Sequence, residues 1–289
     1  MEKAIQEEYK KLVDRIRPCG SAVVAFSGGA DSALLAYASA EALGRDKVLC
    51  VTARAASFPE RETEEASSFC RSHAIRHEVI DFDMLGIDGF AANPPNRCYL
   101  CKHELFSMIV NIADMAGIGI VFEGTNADDE GDHRPGMQAL RELGIVSPLR
   151  EAGLTKGCIR SVSKGLGLAT WDKPSLACLA SRFVYGEEIT AEKLAMAGMA
   201  EEFLLSRGFV SVRVRVHGRD QYTARIETLP EEIPRLASEP LRSDTAAYCK
   251  SLGFAYVALD LEGYRTGSMN EGLTDIQVSG GIKNKEDNG

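Results

Sequence analysis

The chain has 289 residues, 45% of them hydrophobic and 26% charged, with a formal net charge of −9 at pH 7. That balance is ordinary for a water-soluble globular protein long enough to hold two modest domains. It excludes a membrane-spanning chain, because no apolar run nears the roughly 20 residues a bilayer helix needs. It also speaks against a nucleic-acid enzyme, which carries a basic footprint.

Ile5, Leu12, Val13 and Ile16 recur at helical spacing and predict an opening amphipathic helix. Met1 to Arg17 lacks the apolar core of a signal peptide, so cytoplasm is the expected compartment. There, eight cysteines are expected as thiols, metal ligands or catalysts rather than disulfides. Ala22–Phe26 is the first predicted strand and Lys47–Thr52 the second, after a stop at Gly44. Glu60 to His73 reads as a charged helix with Pro59 in its first turn, and Arg76–Ile80 as a third strand. Cys98 opens a helix that runs to about Ala116. Gly119–Glu123 and the short Ile145–Ser147 complete a set of five strands. Strands alternating with helices at this spacing predict an α/β fold, a doubly wound parallel sheet with ligands at the carboxyl ends of its strands. Thr155–Leu166 is predicted helical.

From about Thr190 the pattern changes. Thr190 to Lys193 has the form of a helix-capping segment, and a helix to Arg207 follows. Val210, Val212, Val214 and Val216 alternate with Ser211, Arg213 and Arg215, the signature of a half-buried strand. Gln221–Thr228, Pro240–Leu252 and Phe254–Leu259 add a strand, a helix and a last strand. The expected organisation is a first domain over residues 1–185, a small α+β domain over 186–274 and a disordered tail over 275–289.

The densest signal is Ser27-Gly28-Gly29-Ala30-Asp31-Ser32, set between the first strand and a helix from Ala33 to Leu43. Glycines allow a tight turn that exposes backbone N–H groups, and a helix N-terminus adds positive potential, so the loop is built for an anion. Ser27 and Ser32 add hydroxyl donors, and Asp31 suits a helix cap or a metal. The spacing is not that of the Walker loop, and the loop holds no lysine for a terminal phosphate. Such a loop suits a pyrophosphate that leaves, which implies adenylation by ATP. Ala53 and Arg54 follow the second strand. Thr125, Asn126 and Asp128 follow the fourth, placed for nucleotide or Mg²⁺, or for a turn held by Asn and Asp side chains.

Cys98 and Cys101 are two thiols separated by two residues at a helix start, beside Arg97 and Lys102. This spacing suits half of a zinc site, a redox dithiol or two ligands of an iron–sulfur cluster. No second close pair completes a zinc site. Cys178, in Trp171-Asp-Lys-Pro-Ser-Leu-Ala-Cys178-Leu-Ala-Ser181-Arg182, is the candidate third ligand. Ser181 and Arg182 are candidate acceptor contacts. Arg213 and Arg215 share one strand face that suits a phosphate or simply solvent. The five histidines show no metal-ligand spacing.

The Ser27–Ser32 loop resembles the PP-loop of the N-type ATP pyrophosphatases. Together with Asn96–Lys102, Glu123–Asp129 and Trp171–Arg182, it makes residues 1 to about 265 similar to the LarE family, the sulfur transferases of nickel-pincer nucleotide synthesis. That resemblance implies a pyridinium dicarboxylate mononucleotide as small-molecule acceptor, ATP and Mg²⁺ as cofactors, and a homo-oligomer, while the acidic charge and the lack of a bilayer-length apolar run speak against nucleic-acid and membrane partners. Ser27, Gly28, Gly29, Asp31 and Ser32 would hold the phosphates. It further implies either a 4Fe–4S cluster on Cys98, Cys101 and Cys178 or single-turnover donation of the Cys178 sulfur. The presence of the Cys98–Cys101 pair favours the cluster. A tRNA thiolase and an ATP-dependent amide synthetase of the same superfamily are the alternatives, with a non-catalytic nucleotide-binding module behind them.

Overall fold

The computed structural model describes residues 3–58, 60–129, 135–174 and 177–265. The chain divides into two compact units, one of Met1–Met84 with Cys98–Leu176, the other of Leu85–Arg97 with Ala177–Gly289.

In chain order the first unit holds α1 (Lys3–Ile16), β1 (Ala22–Ala25), α2 (Ala30–Leu43), β2 (Val48–Arg54), α3 (Glu60–Ser72) and β3 (Arg76–Asp81). It continues with α4 (Arg97–Met115, entering at Cys98), β4 (Val121–Phe122), α5 (Pro135–Glu142), α6 (Pro148–Glu151) and α7 (Lys156–Gly165). The sheet is parallel throughout in the order β3-β2-β1-β4. Val24 pairs with Cys50 and with Phe122. Because successive strand residues face opposite ways, each strand feeds two cores. Val24 and Cys50 pack with Leu12, Leu34, Phe69 and Ile159 on one face. Val23 and Leu49 pack with Phe106, Ile109 and Leu140 on the other. The doubly wound α/β sheet expected from the alternation is present.

One expected element shrinks. Ile145–Ser147 contributes only a single parallel bridge between Val146 and Phe122. The neighbouring strand β4 offers just two residues, and Pro148 starts α6 at once. Helix α5 and the one-turn α6 have no counterpart in the sequence reading.

The second unit holds α8 (Ala191–Ser206), β5 (Val212–His217), β6 (Thr223–Thr228), α9 (Ile233–Leu236), α10 (Leu241–Ser251) and β7 (Tyr256–Leu259). Its sheet runs β5-β6-β7, with β5/β6 antiparallel and β6/β7 parallel. Thr190 caps α8, its side chain accepting the Lys193 N–H at 3.2 Å. Val212, Val214 and Val216 are buried, as their alternation predicts, but Val210 is exposed and lies before the strand begins. Asn93 is fully buried and donates to the Val184 carbonyl at 2.7 Å. Gly186 and Ile189 return backbone bonds to Asn93 and Ala91, which explains how residues 85–97 join this unit. The tail expected over residues 275–289 lies outside the described residues.

Candidate active site

The anion loop forms where β1 runs out and α2 begins. Gly28 has φ +70, and a Cβ there would lie 3.3 Å from the Cβ of Ala66 on α3. Only glycine serves at a left-handed position pressed against a helix. Gly29 is the N-cap of α2, and its carbonyl accepts the Ala33 N–H at 2.9 Å. The Ser27 and Ser32 hydroxyls stand 3.1 Å apart, and the Gly29 N–H points at Ser27 Oγ at 3.4 Å. Hydroxyls and N–H groups therefore converge in front of a fourteen-residue helix whose positive end favours an anion.

Asp31 lies in the first turn of α2. Its Oδ2 accepts from Lys156 Nζ at 2.5 Å and from Asn126 Nδ2 at 3.4 Å. Its Oδ1 is buried and has no hydrogen-bond partner among the described residues. A buried carboxylate oxygen without a donor calls for an explanation, and a hard divalent cation such as Mg²⁺ is the ligand such an oxygen takes. The residues present thus fit Mg²⁺.

The loop after β4 closes over the same place. A Cβ on Gly124 would sit 3.3 Å from the Ser32 nitrogen, so the two backbones nearly touch. Glu123 is buried and holds the loop from below, accepting from the Thr125 N–H at 3.0 Å, the Thr125 hydroxyl at 2.7 Å and the Ser147 hydroxyl. Asn126 reaches Asp31. Asp128 turns the other way and accepts the Lys156 N–H at the start of α7, at 2.7 Å.

These elements enclose a cavity of about 490 Å³, within the size range of small-ligand sites. Ala25, Val51, Phe106 and Ile109 give it an apolar wall, while Ser27, Gly29, Asp31, Ser32 and Thr125 line the polar end. Ala53 lines it too. Arg54 does not, and instead pairs with Asp81 at 2.7 Å on the surface. Within the lining, Thr52 Oγ1 donates to the Phe26 carbonyl at 2.7 Å and lies 2.8 Å from His77 Nε2. Burial, and secondarily Arg71, hold the His77 imidazole below its ordinary pKa.

Sequence reasoning missed three cations of this cavity. Lys102, Lys156 and Lys173 all line it. Lys173 Nζ lies 3.3 Å from the Gly28 carbonyl and pairs with Glu62 at 2.7 Å and Glu65 at 2.6 Å. The loop lacks its own lysine, yet the fold delivers one from 145 residues downstream. Lys173 stands inside the Trp171–Arg182 segment, and that was the available signal.

Cys98 and Cys101 lie one helical turn apart at the start of α4, the first exposed and the second half-buried. Cys178 is half-buried in the second unit. Among the described residues no three His, Cys, Asp or Glu side chains are gathered to hold a metal ion. The pair suits two soft-metal ligands. Cys50, Cys70 and Cys249 are buried. A hydrogen bond with Cys70, and then burial, push the Cys50 thiol up. Burial alone pushes Cys249 up to about 11, so both are held as neutral core thiols.

In the second unit Arg182 is 1% exposed and gives Glu201 two bonds, at 2.6 and 2.9 Å, and Ser181 Oγ a third at 2.7 Å. Arg215 is likewise buried, bidentate to Glu227 at 3.0 and 2.7 Å, with another bond to the Ser181 carbonyl at 2.8 Å. Arg213 differs. It lies half-buried 4.9 Å above the Tyr264 ring and donates to the Val212 carbonyl at 2.8 Å, with no ion pair among the described residues. Burial, and then the neighbouring Arg182, hold its pKa down.

Comparison with known proteins fits this geometry. Residues 4–88 match the family described as NAD synthase. The chain is 42% identical over 253 residues to an uncharacterised protein of Synechocystis, covering 88% of this chain and 93% of that one. It is 37% identical over 269 residues to the pyridinium-3,5-bisthiocarboxylic acid mononucleotide synthase of Lactiplantibacillus plantarum, covering 93% of this chain and 95% of the relative. The chain belongs to the LarE family. Its anion loop is therefore a PP-loop, and the chain is an enzyme of the PP-loop ATP pyrophosphatase superfamily. An uncharacterised protein of Methanocaldococcus jannaschii is 30% identical to this LarE-family chain, over 84% of it and 90% of the relative. Among the described residues no helix is long and apolar enough to cross a membrane.

Proposed function

We propose that this chain uses ATP to adenylate a carboxylate of a pyridinium dicarboxylate mononucleotide and then replaces AMP by sulfur, leaving a thiocarboxylate for nickel-pincer nucleotide synthesis. The observation that carries the ATP step is the PP-loop with Asp31 Oδ1 buried and unpartnered beside it. The family supports the sulfur step.

A carboxylate is a poor electrophile because its leaving group would be oxide. In the first step a carboxylate oxygen attacks the α-phosphorus, the α–β phosphoanhydride bond breaks, and pyrophosphate leaves. In the second, sulfur attacks the acyl carbon and the C–O bond to AMP breaks. Ser27, Gly28, Gly29 and Ser32 would bind the departing pyrophosphate through N–H and hydroxyl donors, with the α2 N-terminus behind them. Asp31 would hold Mg²⁺, which when bound supplies charge neutralisation on the phosphate oxygens. The apolar wall of Val51, Phe106 and Ile109 would receive the adenine. Lys102, Lys156 and Lys173 would add positive charge around the phosphates. Thr125 and Asn126 would support the nucleotide side of the cavity, and Asp128 would hold α7 in place.

For the acceptor, Arg213 is the arginine of the second unit best disposed to meet a phosphate, since Arg182 and Arg215 are already committed to carboxylates. Ser181, held between those two arginines, would be placed by them. The sulfur would be carried by Cys98, Cys101 and Cys178. The support is two thiols within one helical turn and the affinity of thiolates for iron–sulfur clusters. A 4Fe–4S cluster on these three ligands, when bound, supplies an iron with an open position for sulfide.

Product analysis tests the reading. With Mg²⁺ and the acceptor, ATP should give AMP and pyrophosphate, and without the acceptor it should stay intact. ADP and phosphate as products would overturn it.

A further inference from the structure

The charge of Lys173 is already met by two carboxylates. Its Nζ donates to Glu65 Oε2 at 2.6 Å and to the Gly28 carbonyl at 3.3 Å, and Glu62 Oε2 stands 2.7 Å away as an ion-pair partner. The Gly28 carbonyl belongs to the PP-loop itself. The lysine therefore stands within reach of any phosphate seated on the loop, with its charge already compensated. Glu62 is also the more buried of the two carboxylates, its side chain 11% exposed against 54% for Glu65. A buried carboxylate on the wall of an anion site repels the anion unless something compensates it.

We infer that Glu62, aided weakly by Glu65, is a resident counter-anion that occupies Lys173 in the empty site and must yield it to the incoming β- and γ-phosphates. Glu62 is thus a positioning residue that sets nucleotide affinity through Lys173. This rests on the PP-loop being the ATP site. A phosphate and Glu62 seek the same ammonium charge, and Glu62 Oε2 already stands 2.7 Å from it, so the carboxylate competes. The arrangement keeps the lysine's charge compensated in the absence of nucleotide, where an unpaired buried ammonium would be costly. It also holds back pyrophosphate affinity, which favours release after adenylation.

The test is calorimetric titration of the full chain with Mg²⁺–ATP, Mg²⁺–pyrophosphate and AMP. Glu62→Gln keeps the shape and removes the charge. It should tighten ATP and pyrophosphate by about three- to fivefold, the scale of one partly exposed ion pair, and leave AMP unchanged because AMP lacks the competing phosphates. Glu65→Gln, at an exposed position, should change each by less than about twofold. Lys173→Gln should weaken ATP and pyrophosphate by at least about tenfold, the loss of a charge-assisted bond, again sparing AMP. Unchanged or weaker pyrophosphate binding by Glu62→Gln, or a parallel change in AMP, would overturn the inference while leaving the ATP site standing. Failure of wild-type protein to bind either ATP or pyrophosphate would remove the nucleotide reading and this inference with it. Should Glu62→Gln fail to fold, Glu62→Asp still decides the matter. Its carboxylate is one methylene shorter and draws back from Nζ, so pyrophosphate must bind more tightly, and weaker binding refutes the competition.

Discussion

Replacing Glu201 by Gln should destabilise the second unit by about 3–5 kcal/mol, the cost of leaving a buried charge without its partner. Arg182 is 1% exposed and the Glu201 side chain 9%, so water cannot take over. Glu201 Oε1 serves twice, accepting Arg182 Nε at 2.6 Å and the Val214 N–H at 2.8 Å. Oε2 accepts Arg182 Nη2 at 2.9 Å. A glutamine keeps one acceptor and turns an NH₂ toward a donor, whichever way it rotates. It therefore loses the charge and strands a buried donor, the latter alone worth about 1–3 kcal/mol. The partner experiment is Arg182→Met with Glu201→Gln. The amide oxygen can then serve Val214 while its NH₂ no longer meets a guanidinium, so the double variant should be more stable than Glu201→Gln alone. A coupling energy of at least about 2 kcal/mol is expected. Native-state hydrogen exchange at the Val214 amide reads the effect locally, and denaturant unfolding reads it globally. A loss below about 1 kcal/mol, or simple additivity in the cycle, would refute the reasoning and return Arg182 to the candidates for direct acceptor binding.

Gly28→Ala places a side chain at φ +70 against Ala66, 3.3 Å away; it should cost about 1–2 kcal/mol in backbone strain and impair ATP binding, read by thermal unfolding and titration. His77 is held below its ordinary pKa of 6.5, chiefly by burial. Between the folded value and 6.5 the unfolded chain binds more protons, so His77 contributes stability that is present above pH 6.5 and lost as pH falls through its folded value. In His77→Gln the slope of unfolding free energy against pH should flatten over that window, and an unchanged slope would assign it elsewhere. If Cys98, Cys101 and Cys178 carry transferable sulfide on a cluster, alanine at any of the three should lower bound iron and stop transfer, and wild-type protein should keep its full mass through turnover. Loss of one hydrogen sulfide at Cys178 after a single turnover, measured by intact mass, would show instead that the cysteine itself is spent.

Local chemistry was legible wherever it depends on backbone conformation or on spacing along one element. Ser27–Ser32 could be read as an anion loop because a glycine-rich turn between strand and helix has few other uses, and Gly28 does adopt the left-handed geometry. Thr155 and Thr190 could be read near helix starts, and both cap them. The valine alternation along β5 announced which face is buried. By contrast, Ile145–Ser147 looks like a strand by composition, and only the two-residue length of β4 beside it restricts it to one bridge.

Side-chain partnerships across long separations were another matter. Arg182, Arg213 and Arg215 are the same residue type in neighbouring segments, and nothing local tells them apart. Glu201 and Glu227 do, by lying within bonding distance of two of them. Likewise the PP-loop appears lysine-free along the chain, while folding sets Lys156 on Asp31 and Lys173 on the Gly28 carbonyl. The sequence by itself determined the parallel α/β sheet, the place of the anion loop and the family, because hydrophobic periodicity and short motifs encode backbone path. Only the tertiary structure decided which charges meet. An ion pair depends on a few ångströms between residues more than 100 positions apart, as for Lys156 with Asp31 and Lys173 with Glu65, and no local pattern specifies such a distance.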